Sequence, residues 1–299
     1  MIYFIIDSKD YTLNVRNYTD EWKKIKIVAD SSADVLELEK VPFESAPLKI
    51  TTAQKEYVDD INLDVYNMVT ELGSYKGKSS TSCPNVEDWL NAFGDAEEIF
   101  CVTITATLSG SYNAAVMAKE LYEERYPERR VFVLNSLTAG PEIALMIEKL
   151  GELISDGKAF DEICEDITKY SRKTGLLFML ESMKNLVNNG RVSPLVAKMA
   201  GILGIRVVGK ASDKGDLEPL NKCRGEVKAL NTIVEHLKEL GLKNGKVKIA
   251  HCFNENAAKE LKALIESKFS KARVEFYKCR GLCSFYAEKG GMLVGFEKI

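Results

Sequence analysis

The chain has 299 residues, 45% of them hydrophobic, and a net charge of −3. That length and apolar content suffice for a packed core and point to two domains rather than one. The near balance of charge, with no long Lys/Arg run, excludes broad nucleic-acid binding, and no apolar segment has the length needed to cross a bilayer.

The opening MIYFIIDSKDYTLNVRNY reads as a strand, a polar turn at Ser8-Lys9-Asp10 and a second alternating strand, a β-hairpin extension over residues 1–24. Its apolar run has no basic leader and no small-residue cleavage site, so no signal peptide is expected. KIKIVADSSADV then gives a strand ending at Asp30-Ser31-Ser32. Residues 63–72 read as a helix, and the polar loop GKSSTSCPNVEDW feeds another through Pro84 and Asn85. Cys101 to Ile104 is a short buried strand that breaks into Thr105, Thr107, Ser109 and Ser111. A helix resumes with Tyr112, Ala115, Val116, Ala118 and Leu121 at near-helical spacing, which places Ser109 at its N-cap. RVFVLNSLTAGPEIALMIEKLGELISDG repeats the unit: strand, Asn135-Ser136 turn, and a helix entered at Pro141 and ended by Gly157. Strands alternating with helices argue for a parallel sheet over residues 25–157. Its ligand crevice belongs off the carboxyl ends of the strands.

Beyond Gly157 the character changes. Residues 159–172 form an amphipathic helix with Phe160, Ile163, Cys164, Ile167 and Tyr170 on one side. GLLFMLES is a strand, followed by a short helix and an Asn189-Gly190 turn that puts Arg191 on a loop. GIRVVGKASDKGDLEPLNKCR reads as an antiparallel hairpin around Asp213-Lys214-Gly215. The next helix carries Val227, Leu230, Val234 and Leu237 on one stripe, with His236 on its polar side. A strand KVKIAHCF, a helix from about Asn256 to Phe269, and strands RVEFYKC and GGMLVGFEK close the chain. Residues 158–299 therefore read as an α+β domain with mainly antiparallel strands. Of the seven scattered cysteines, only Cys279 and Cys283 lie close together, and with two histidines a closed zinc site is not expected. Such thiols suit a reducing, cytoplasmic setting.

Four hydroxyl-rich turns recur: Ser31-Ser32, Thr81-Ser82, Ser109-Ser111 and Ser136-Thr138. In a parallel sheet at least three of them gather along one edge. They read either as independent helix caps or as a crevice for an anion or carboxylate. Arg191 and Arg224 stand near that edge as surface charges or as forks for carboxylate oxygens. Asp59 and Asp60 suit a cation or a solvated loop. No G-x-S-x-G elbow, Walker loop or G-x-G-x-x-G is present. Ser109 with His251, the one histidine at a strand end, leaves a serine hydrolase or acyl transferase as an alternative.

KIVADSSADV, TSCPNVEDW, ATLSGSYNAA, KNLVNNGRVS, NKCRGEVKAL and GGMLVGF stand in an order and spacing that resemble the DegV family, the fatty-acid-binding subunits of bacterial fatty acid kinase systems. The resemblance covers residues 25–299. It implies a two-domain α/β protein that is not itself an enzyme, needs no cofactor, and buries a long-chain fatty acid between its domains for presentation to a separate kinase. The acid's carboxylate would be held by the turns Thr81-Ser82 and Ser109-Gly110, by Arg191 and Arg224, and by Tyr286, which stands where the family has a histidine. Cys83 replaces a usual Gln, and Glu288 a glycine. A carrier of another amphipathic anion is the further alternative.

Overall fold

The computed structural model describes residues 24–192 and 204–299. The hairpin expected over residues 1–24 lies outside the described residues apart from Lys24, as does Ser193 of the KNLVNNGRVS stretch.

In chain order the first half carries β1 (Ile25–Asp30), β2 (Phe43–Ala46), β3 (Lys49–Thr51), β4 (Glu56–Val58), α1 (Val65–Ser74) and β5 (Ser80–Ser82). It continues with α2 (Val86–Phe93), β6 (Glu98–Thr103), α3 (Ser111–Arg125), β7 (Arg130–Asn135) and α4 (Pro141–Ser155). The second half carries α5 (Phe160–Ser171), β8 (Thr174–Leu180), α6 (Lys184–Asn188), β9 (Ile205–Ala211), β10 (Leu217–Arg224) and α7 (Glu226–Glu239). Last come β11 (Lys246–His251), α8 (Glu255–Lys268), β12 (Arg273–Lys278), α9 (Gly281–Ala287) and β13 (Met292–Glu297).

Strands β2-β1-β6-β7 form the expected parallel sheet. On one face Ile27, Ala29, Phe100 and Val102 meet α4 and α5; on the other Val28, Ile99 and Cys101 meet α2 and α3. Burial on both faces is why these strands read as continuous apolar runs rather than alternating ones. The second sheet runs β10-β9-β8-β13-β11-β12 and is antiparallel except for the β11–β12 pair. Its Leu177, Met179, Val247 and Ile249 pack under α7 and α8. The fold is thus mixed α/β, a parallel sheet followed by a mainly antiparallel one.

Helix α4 lies between the sheets, touching β1 and β6 on one side and β8, β11 and β13 on the other. This explains why its first two turns, residues 141–147, are buried on every face rather than along one stripe. The approach of β13 requires Gly295, because a Cβ there would sit 2.5 Å from the Glu142 amide nitrogen.

Four local differences from the sequence reading matter. Thr81-Ser82 is not a loop but part of β5, in a three-stranded antiparallel sheet with β3 and β4, where Ile50 pairs with Thr81. The apolar side of α5 packs into the core under the parallel sheet, with the Phe160 ring 4.8 Å from that of Phe100. Val227 is 62% exposed, while Leu230, Val234 and Leu237 of the expected stripe are buried together with Ile233. Helix α9 was not expected: Leu282, Cys283, Ser284 and Phe285 are all buried, so it shows no amphipathic period.

Candidate functional site

Because β1, β6 and β7 are parallel neighbours, the turns that follow them lie side by side. Asp30 organises them. Fully buried, it accepts from the Ser32 amide at 3.2 Å and from the Ser32 hydroxyl, from the Ser111 hydroxyl at 2.5 Å and from the Ile104 amide at 2.9 Å. Burial raises its pKa against the pull of those bonds. Ser32 and Ser111 are therefore occupied in holding the turns together. The Ser136 hydroxyl donates to the Thr138 carbonyl at 3.2 Å, closing the third turn on itself. Ser109 accepts the Ser111 amide at 3.2 Å, yet the N-cap of α3 is Gly110, one residue later than the spacing suggested.

Two further carboxylates of the first half dock α9. Asp59 accepts the Gly281 and Leu282 amides, each at 2.8 Å, at the N-terminus of that helix. It is neither a cation ligand nor a solvated loop residue but a buried cap. Asp34 accepts the Arg280 amide at 3.0 Å. Burial pushes both pKa values up, and with the Asp59 charge beside it Asp34 reaches about 8. Sequence reasoning missed these roles, since a helix cap contributed from more than 200 residues away leaves no local pattern.

The carboxyl-edge turns, β5, β8, the β9–β10 hairpin and α9 together enclose a cavity of about 260 Å³. Thr81, Ser82, Ser109, Gly110, Arg191 and Tyr286 all line it. The Thr81 and Tyr286 hydroxyls share a hydrogen bond of 2.7 Å, and the Arg191 guanidinium lies close enough to Tyr286 to act on its phenol. Burial raises the Tyr286 pKa, with Thr81 and Arg191 pulling the other way, so the phenol is neutral at ordinary pH. Arg191 further donates to the Asn189 carbonyl at 3.0 Å, which fixes its loop. The rest of the wall is apolar but for the thiols of Cys83 and Cys283, and among the described residues Arg191 is the one charged side chain that lines it.

Arg224 is not brought to this cavity. It is the exposed last residue of β10, the edge strand of its sheet, two strands removed from β8. Glu288 also stays out: its carboxylate accepts the Asn185 amide at 3.0 Å, at the start of α6, and so presents no negative charge to the cavity. His251 shares a strand face with Val247 and Ile249, on the α7–α8 side of the sheet, away from Ser109. Its Nδ1 accepts the Asn254 amide at 3.2 Å and burial lowers its pKa, the state of a neutral structural histidine. Among the described residues no group of three or more His, Cys, Asp or Glu is placed to hold a metal ion. None of their helices is long and apolar enough to cross a membrane.

The family described as "Uncharacterised protein, DegV family" matches residues 24–298. A DegV domain-containing protein of Streptococcus pneumoniae is 43% identical over 276 residues, covering 91% of this chain and 98% of that one. A DegV family protein from Eubacterium eligens, solved loaded with heptadecanoic acid, has a TM-score of 0.90 and 42% identity, covering 92% of this chain and 100% of the other. The Streptococcus pneumoniae fatty acid kinase (Fak) B3 protein, solved loaded with linoleic acid, has a TM-score of 0.91 at 42% identity and the same coverage. The chain belongs to the DegV family.

Proposed function

We propose that this protein binds a long-chain fatty acid without transforming it and presents the carboxyl group to a separate fatty acid kinase. The observation that carries the reading is the composition of the cavity wall: an apolar lining with one set of hydroxyls and a single guanidinium. Such a wall matches a ligand with a long apolar body and one anionic end. The Thr81, Ser109 and Tyr286 hydroxyls supply neutral donors, and Arg191 supplies the charge that a carboxylate needs when it leaves water. Relatives at 42% identity that carry heptadecanoic and linoleic acid support the same assignment. On this reading the ligand lies between the parallel-sheet unit, with α5 packed into its core, and the mainly antiparallel one, and a non-catalytic role fits a His251 that faces away from Ser109. Seven unpaired thiols suit work in the cytoplasm.

Native mass spectrometry of freshly purified protein should show an adduct of fatty-acid mass that is released on denaturation. Protein that is ligand-free as isolated and takes up no added fatty acid would overturn the assignment. An adduct of a different amphipathic anion would replace the ligand but keep the cavity's role. Turnover of ester substrates that is lost in Ser109→Ala would instead make the protein an enzyme.

A further inference from the structure

Strand β8 turns alternate residues into the cavity, so Leu176, Phe178 and Leu180 form its floor while Leu177 and Met179 face the opposite core. Phe178 is the one phenylalanine that lines the cavity among the described residues, and it is fully buried. Its cross-strand partners are Gly209 on β9 and Leu293 on β13. The ring does not stand up from the sheet. It lies over Gly209: a Cβ at that position would meet ring carbons Cζ at 2.2 Å and Cε2 at 2.7 Å. Gly209 thus provides the space that keeps a bulky ring out of the ligand volume.

We propose that Gly209 and Phe178 together set the capacity of the cavity, and hence the length of acyl chain the protein accepts. The inference rests on the reading of the cavity as an acyl-chain site. With any side chain at residue 209 the ring must move. Leu293 holds its other flank, and Leu176 and Leu180 lie before and behind it on the same strand face, so the open direction is into the cavity. A ring raised there takes space from a volume of only about 260 Å³. Neither Gly209 nor Phe178 makes a bond to the polar anchor at Thr81, Tyr286 and Arg191, so the loss falls on the methylenes that would fill that space. Each methylene withdrawn from an apolar site weakens binding about fourfold, and three withdrawn weaken it on the order of fiftyfold.

The test measures dissociation constants of octanoate, dodecanoate, hexadecanoate and octadecanoate by calorimetry, for delipidated wild-type, Gly209→Ala and Phe178→Trp proteins. A Cβ at residue 209 would also lie 2.6 Å from the Glu218 carbonyl oxygen, so Gly209→Ala strains the hairpin. Phe178→Trp enlarges the ring without touching the backbone and serves where the first variant does not fold. Expected is a loss of more than tenfold for hexadecanoate and octadecanoate, with octanoate within about twofold of wild type. A third variant, Phe178→Leu, should shift the optimum toward longer chains. Equal losses at every length, or unchanged long-chain binding in a folded variant, overturn the proposal. A wild-type protein that binds none of the four acids fails the functional reading itself, a result distinct from a wild type that binds them while the variants keep its length profile.

Discussion

Asp34→Asn is expected to raise the melting temperature at pH 8 and to leave it nearly unchanged at pH 4. Asp34 is buried, one oxygen accepts the Arg280 amide, and the other has no partner in the structure. Burial and the neighbouring Asp59 raise its pKa from 3.8 to about 8, with Arg280 opposing. The folded protein therefore keeps the Asp34 proton over a range in which the unfolded chain releases it. The stability gained from a neutral Asp34 is full below pH 3.8, drains away as pH rises, and is gone above about 8. At 1.36 kcal/mol per unit the ceiling on that loss is about 6 kcal/mol; a third of it is still about 3 °C in a protein of this size. Asparagine mimics the neutral acid and does not titrate. It also tolerates the left-handed backbone at this position, where φ is 57°. Asp30, Asp59 and Glu142 are buried with raised values too, Glu142 reaching about 7 through burial. The variant should therefore flatten the pH dependence of unfolding without abolishing it. A wild-type protein whose stability rises from pH 5 to 8, or an Asp34→Asn protein no more stable than wild type at pH 8, would show that this carboxyl is ionised in the fold.

The parallel sheet was legible because its strands are continuous apolar runs, each followed by a hydroxyl turn, and neighbouring parallel strands must align those turns. Part of the polar site was legible for the same reason: Ser109 and Gly110 sit where the β6 turn meets α3. Thr81, Ser82 and Arg191 were visible as a hydroxyl turn and a loop arginine, and Tyr286 only through the ordered motifs. What stayed hidden depends on distant packing. Helix α9 is buried on every side and docked by Asp34 and Asp59 from the other half of the chain, so no period marks it. Arg224 looked equivalent to Arg191 in sequence, yet an edge strand ends there and leaves it in solvent. Glu288 looked like a charge beside the head group, but its reach to the Asn185 amide turns it away. The apolar floor at Phe178 was visible as a strand, whereas the face that borders a cavity rather than a core is set by what packs opposite.

Arg191→Ala should weaken fatty-acid binding more than Tyr286→Phe does. Arg191 is the cavity's one charged lining group among the described residues, and a hydrogen bond to a charged group is worth about 1.5–3 kcal/mol. Its loss predicts a decrease of about ten- to a hundredfold. Tyr286→Phe removes one neutral donor, about 1 kcal/mol or fivefold, and frees the Thr81 hydroxyl from its 2.7 Å partner to turn toward the ligand. The same two residues fix the pH response. A carboxylate titrates well below pH 6, and burial moves the Tyr286 phenol further from neutrality. Wild-type affinity should therefore be nearly flat from about pH 6 to 8. Tyr286→His introduces a group with an ordinary pKa of about 6.5, which adds positive charge only when protonated. Its folded pKa is lowered by the neighbouring Arg191 cation and raised by the bound carboxylate, so affinity should fall as pH rises through this window. Calorimetric titrations at pH 6, 7 and 8 on the three variants and the wild type decide the matter. A steep wild-type transition, or a Tyr286→Phe protein weaker than Arg191→Ala, would place the carboxylate away from this guanidinium and leave the hydroxyls as its principal anchor.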